Sequence, residues 1–145
     1  MPATKFSISL RPETYDEVTG RAEEMDGNVS GTINRLLERY IDLLKRERHS
    51  LVGMFSDGEK GLILDSLNGL AFVDSVGIYH IADDVADAVY MDKLDKKWEV
   101  DGSDATAKLR RLSNGQLHAL VDEVQSWWNR VGKGEEMTPA QLLGE

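Results

Sequence analysis

The stretch that most limits what this chain can fold into runs from residue 5 to residue 48: KFSISLRPE, then TYDEVTGRAEEMDG, then NVSGTINRLLERYIDLLKRER. Its opening alternates. Phe6, Ile8 and Leu10 fall on one side and Lys5, Ser7, Ser9 and Arg11 on the other, the period of a half-buried strand. Pro12 ends that pattern because proline cannot donate to a ladder. Two helices are predicted after it. The first has Thr14 as N-cap and Glu17 to complete a capping box, with Tyr15, Val18, Ala22 and Met25 at helical spacing and Gly27 as its stop. The second has Ser30 as N-cap and a longer apolar stripe of Ile33, Leu36, Leu37, Tyr40, Ile41 and Leu44. Lys45, Arg46 and Arg48 sit in its last turns, where cations favour the helix dipole.

A lone strand is unstable in water, and nothing later in the chain alternates well enough to pair with it. The simplest remedy is a twofold dimer in which the strand pairs with its own copy. The outer face of the resulting ribbon would show Lys5, Ser7 and Ser9 twice over, in a shape that fits the DNA major groove.

The order of these parts resembles the ribbon-helix-helix domains of Arc-, MetJ- and CopG-type repressors over residues 4–46. KFSISLRPE, the Gly27-Asn28-Val29-Ser30 turn and GTINRLLERY carry the likeness. The resemblance implies one β-strand plus two helices completed by dimerisation. It also implies base contacts from Lys5, Ser7 and Ser9, and phosphate contacts from Arg11 and the amides of Ser30, Gly31 and Thr32. A helix N-terminus suits an anion on physical grounds as well. The dimer core would hold Phe6, Ile8, Leu10, Ile33, Leu37 and Tyr40. The competing reading is a ribbon that only dimerises the chain, with Lys5, Ser7 and Ser9 solvated.

Charge divides the chain unevenly. Residues 1–49 carry 8 Lys and Arg against 9 Asp and Glu, and residues 50–145 carry 9 against 17. A net charge of −9 excludes a protein that coats DNA by bulk charge, and the acidic remainder should be repelled by nucleic acid. No cysteine is present, so a disulfide framework or thiolate zinc site is excluded. No basic segment leads into an apolar run at the start, and no apolar run is long enough to span a bilayer. A cytoplasmic protein is the expectation.

Residues 49–55 read as a linker, 56–131 as a small all-helical acidic domain and 132–145 as a flexible tail. The chain is therefore expected to be mainly α. Ser56-Asp57-Gly58-Glu59 and Ser113-Asn114-Gly115-Gln116 are capping boxes, each followed by helical apolar spacing. Further helices are expected near 78–93 and 104–111, while residues 70–76 are ambiguous. Trp98 is expected to anchor the connection between them.

Chemistry in this part is sparse. His49, His80 and His118 are scattered, and Asp83, Asp84 and Asp87 form a solvated helix face, so no metal and no cofactor are expected. Gly58-x-x-Gly61 lacks the rest of a phosphate loop. Trp127 and Trp128 adjoin and cannot both face one core, which marks residues 120–131 as a candidate partner surface. The sequence thus points to a non-enzymatic repressor that binds operator DNA as a homodimer, or as a higher oligomer on repeated sites. The alternative is an antitoxin or adaptor whose helical C-terminal domain binds a protein partner, with DNA binding for autoregulation. A plasmid-partition role is not separable from repression.

Overall fold

The computed structural model describes residues 7–25, 27–68 and 77–144. They are helical, with no strand among them. The elements are α1 (Pro12–Glu24), α2 (Val29–Leu51), α3 (Asp57–Ser66), α4 (Ile81–Asp92), α5 (Leu94–Lys97), α6 (Gly102–Arg110) and α7 (Asn114–Gly132), with 3₁₀ turns at Gly77–His80 and Pro139–Gln141. The chain forms two compact units, Met1–Ile41 and Asp42–Glu145. The division falls within α2, so residues 29–41 count with the first unit and 42–51 with the second.

The first unit corrects the expected ribbon-helix-helix fold. Residues 7–11 carry no secondary structure. Alternation alone does not make a strand: its backbone groups need a neighbouring ladder, and none is present among the described residues. Lys5 and Phe6 lie outside the described residues. Helix α1 begins at Pro12, with Arg11 in extended conformation as N-cap and no side-chain cap. Thr14 is therefore inside the helix. Proline suits that first turn because its missing N–H would have no intrahelical acceptor. In α2 the cap is Asn28, not Ser30. Its Oδ1 accepts from the Gly31 amide at 2.6 Å, and Val29 is the first helical residue.

The second unit is built around α3, whose Leu62, Ile63 and Leu64 are all buried, as is Leu67 at its C-cap. A helix apolar around much of its circumference must be covered on several sides. Here α4, α5 and the turn Pro139–Gln141 pack on it. Ser56 and Glu59 make the expected capping box, and so do Ser113 and Gln116. Burial pushes the Glu59 carboxyl up. Hydrogen bonds from Lys108 Nζ at 2.7 Å and from the Ser56 amide outweigh it and hold the group below its ordinary value. Trp98 does anchor its connection. It lies so close to Gly61 that a Cβ there would come within 2.3 Å of the indole.

Two expected boundaries are corrected by tertiary packing. Residues 49–55 are no linker, because Leu51 and Phe55 belong to the core. Residues 132–145 are no free tail either. Leu142 and Leu143 are each 1% exposed, Lys60 Nζ donates to the Ala140 carbonyl at 3.3 Å, and Arg48 donates to the Gly144 carbonyl. Arg48 also pairs with Glu123 at 2.9 Å, tying the end of α2 to α7. Residues 70–76 lie outside the described residues.

Candidate functional site

In the first unit, Val18, Ala22 and Thr32 are buried, and much larger apolar side chains are not. Ile8 is 52% exposed, Leu37 52% and Ile41 47%, with Tyr15 and Met25 also exposed. On α2, residues 33, 37 and 41 are one turn apart each and share a face. Amphipathic periodicity dictates this stripe, which is only half-covered at Ile33 and open beyond it.

The stripe leads into an open groove of ≈ 500 Å³ lined by Ile8, Leu10, Pro12, Tyr15, Val29 and Ile33, with Asp16 among them. The fold thus brings together Ile8, Leu10 and Ile33, three of the residues expected in a dimer core. Leu37 and Tyr40 stand exposed further along α2. The groove also takes in Pro12, Tyr15 and Val29, which the sequence marks as a strand end, part of a helical stripe and part of a turn and not as dimer core. Their signal was present: each is apolar and sits in the first turn of a helix, where backbone and leading segment meet.

The expected nucleic-acid residues divide into two groups. Ser7, Ser9 and Arg11 are exposed in the leading segment. At the start of α2, Ser30 is exposed, but Gly31 and Thr32 are already engaged. The Gly31 amide donates to Asn28 Oδ1, and the Thr32 amide donates to the Asn28 carbonyl at 3.0 Å. Thr32 itself is buried, its hydroxyl donating to the same carbonyl at 2.9 Å and accepting from Arg35 at 3.3 Å. Asn28 thus holds the Gly31 and Thr32 amides, and the Ser30 side of the turn faces solvent. Arg21 is paired with Glu17 at 2.9 Å.

In the second unit Trp127 and Trp128 are both half-buried, their rings edge to face with centroids 4.8 Å apart. Each indole N–H reaches a carbonyl: Trp127 that of Thr138 at 3.2 Å, Trp128 that of Leu64 at 3.1 Å. The adjacency that marked them as a surface is resolved by the C-terminal segment folding back over one of them. On α4, burial and then repulsion from Asp87 push the Asp84 carboxyl up, despite the counteracting charge of His80. Among the described residues no group of three or more His, Asp or Glu is placed to hold a metal ion. None of the described helices is long and apolar enough to cross a membrane.

No family model, curated protein or solved structure matches this chain.

Proposed function

We propose that the protein is a DNA-binding transcriptional regulator, a repressor that occupies its operator as a homodimer. The observation that carries the reading is the apolar face of the first unit: Ile8, Leu37 and Ile41 stand about half exposed while only small side chains are buried beneath. Water in contact with such a continuous stripe is costly, at roughly 25 cal/mol per Å² of apolar surface. A second copy supplies an identical face, and a twofold contact lets each stripe cover the other. The contact is one of helix faces and leading segments, and it does not depend on strand pairing.

Covering Ile8 and Leu10 leaves the residues that alternate with them outside. Ser7, Ser9 and Arg11 then form a polar edge to the dimer, with Lys5 just before them in sequence. Serine hydroxyls both donate and accept, so they meet base edges with modest selectivity, while Arg11 and the Ser30 end of α2 meet phosphates. One dimer contacts little DNA, so tight occupancy rests on neighbouring dimers over repeated sites. The acidic second unit is kept away from the nucleic acid by its own charge.

Two measurements test this. Leu37→Glu puts a charge in the stripe and is expected to convert a dimer to a monomer in sedimentation; a dimer unchanged by it would refute the contact. Gel shift with DNA from beside the protein's own gene tests the binding. A complex weakened by salt is expected, and its absence at low micromolar protein would refute the regulator reading.

An adaptor role is favoured by a different observation. Tyr90 and Met91 on α4 are 80% and 75% exposed in the second unit, next to Asp87 and Asp92. A protein partner recovered with the chain from its host, and lost on Tyr90→Ser, would support this role over repression alone.

A further inference from the structure

All three tryptophans of the chain converge on one small cavity. Trp98 follows α5, Trp127 and Trp128 lie on α7, and Leu64 and Asp65 of α3, Lys97 of α5 and Pro139 complete the rim. The space is ≈ 180 Å³ and is open to solvent. That is well below the roughly 300–1,000 Å³ of sites for whole small molecules, so the cavity suits a head group.

The chemistry of the walls narrows the head group further. Every indole N–H is already spent inside the protein. Trp98 donates to Asp65 Oδ2 at 3.2 Å, Trp127 to the Thr138 carbonyl and Trp128 to the Leu64 carbonyl. The aromatic rings therefore have no polar hydrogens left for a ligand and offer π surface and apolar contact. The carboxylate of Asp65, with its side chain 23% exposed, is the negative charge among them. Rings and a carboxylate together favour a cation that needs no hydrogen bonds of its own.

The chain itself supplies a cation in this position. Lys97 Nζ lies 2.6 Å from Asp65 Oδ2 and 5.5 Å from the centroid of the Trp98 ring. Lys97 is 60% exposed, on a flexible stem, and can swing into water at little cost. An ammonium is strongly hydrated. Replacing its protons by methyl groups weakens that hydration and strengthens the contact with the rings, so a methylated cation is the better occupant.

We propose that this cavity is a receptor for an alkylated ammonium head group, which takes the place of Lys97 against Trp98 and Asp65. Four side chains divide the work. Trp98 and Trp127 supply aromatic surface, Asp65 supplies the counter-charge, and Lys97 is the internal competitor. The two sources of such a group are a small quaternary amine and a methylated lysine of another protein.

The site can be read without a label, since no tryptophan lies elsewhere. The full chain is titrated with choline, with a trimethyllysine-containing peptide, and with 3,3-dimethylbutan-1-ol, a neutral molecule of choline's shape. Indole N–H resonances and tryptophan fluorescence are recorded. Saturable shifts of the indole signals with a cation and none with the alcohol are expected. A stronger response to choline assigns the group to a small amine, and a stronger response to the peptide assigns it to a protein; either supports the proposal. Asp65→Asn can still accept from Trp98 Nε1 but removes the charge, and is expected to weaken binding about tenfold. Lys97→Met removes the competitor and is expected to tighten it. No response to either cation, an equal response to the alcohol, or weaker binding in Lys97→Met would overturn the proposal and leave the tryptophans as packing for the C-terminal turn. Should Asp65→Asn lower the melting temperature, the decision passes to Lys97→Met, which touches only an exposed side chain.

Discussion

The two units are made from similar amphipathic helices, yet they differ in what those helices have to pack against. In the second unit, α3 is enclosed by α4, α5 and the turn Pro139–Gln141, and its apolar residues are shut away from water. In the first, α1 and α2 bury Val18, Ala22 and Thr32 and leave their larger side chains outside. The helix ends differ in the same sense. Helices α3 and α7 open with complete capping boxes, whereas α1 opens with Arg11 and no side-chain cap. A finished core and an unfinished one thus share a chain. What the contrast teaches is that the second unit can be stable on its own contacts, while the first has surface still to bury.

The largest expected effect comes from removing what closes the second unit. Ending the chain before Thr138 deletes Leu142 and Leu143, both buried. At about 1.5–3 kcal/mol for each buried leucine, the loss is about 3–6 kcal/mol, measured by urea unfolding. It would also free the Trp127 indole N–H and so change the tryptophan emission. An unchanged midpoint would mean that this segment is an ornament on the unit and not part of its core.

Next is a matched pair of truncations. Leu120 is fully buried in the second unit, and Leu120→Ala is expected to cost about 2–5 kcal/mol. Leu37→Ala, at a half-exposed position in the first unit, is expected to change the stability of the isolated chain by no more than about 0.5 kcal/mol. Its effect should be on self-association instead. Equal losses in dilute monomer would erase the distinction between the two units.

These differences also explain what was legible in the sequence. Capping boxes are local chemistry, so Ser56 with Glu59 and Ser113 with Gln116 could be read directly. The apolar stripes of α2 and α7 could be read from spacing alone. The segment 7–11 misled because alternation is a necessary pattern for a strand and not a sufficient one. Leu51, Phe55, Leu142 and Leu143 read as linker and tail because short apolar pairs between polar residues reveal nothing of the surface that will cover them. Of the expected dimer core, Ile8, Leu10 and Ile33 do share a groove. The meeting of Trp98 with Trp127, Trp128 and Asp65 joins three separate helical regions, and no local pattern could have shown it.

A pair of glycine substitutions sharpens the comparison with opposite signs. Gly61 in α3 has the Trp98 ring against it, so Gly61→Ala must displace a half-buried indole and is expected to cost about 1–3 kcal/mol. Gly20 lies inside α1 with nothing within 4 Å of where a Cβ would be. There Gly20→Ala is expected to add about 0.5–1 kcal/mol of stability, because alanine loses less backbone freedom in a helix. Thermal melts of the two variants should move in opposite directions.

The smallest expected effect separates the helix starts. Ser113→Ala removes an oxygen that accepts from the Gln116 amide at 3.2 Å, and is expected to cost about 1 kcal/mol. Thr14→Ala is the corresponding change in the first unit, at a threonine whose place in the sequence resembles a cap. Since α1 begins before it at Pro12, the hydroxyl closes no helix end, and alanine is a slightly better helix former. The expected change is therefore close to zero or weakly stabilising, read as the midpoint of chemical unfolding at fixed protein concentration. A loss at Thr14 as large as that at Ser113 would put the start of α1 three residues later and shorten the face that the first unit offers to a second copy. The absence of such a loss would place the leading residues 7–11 directly against a helix that starts at proline, with Ile8 and Leu10 held over the groove they line.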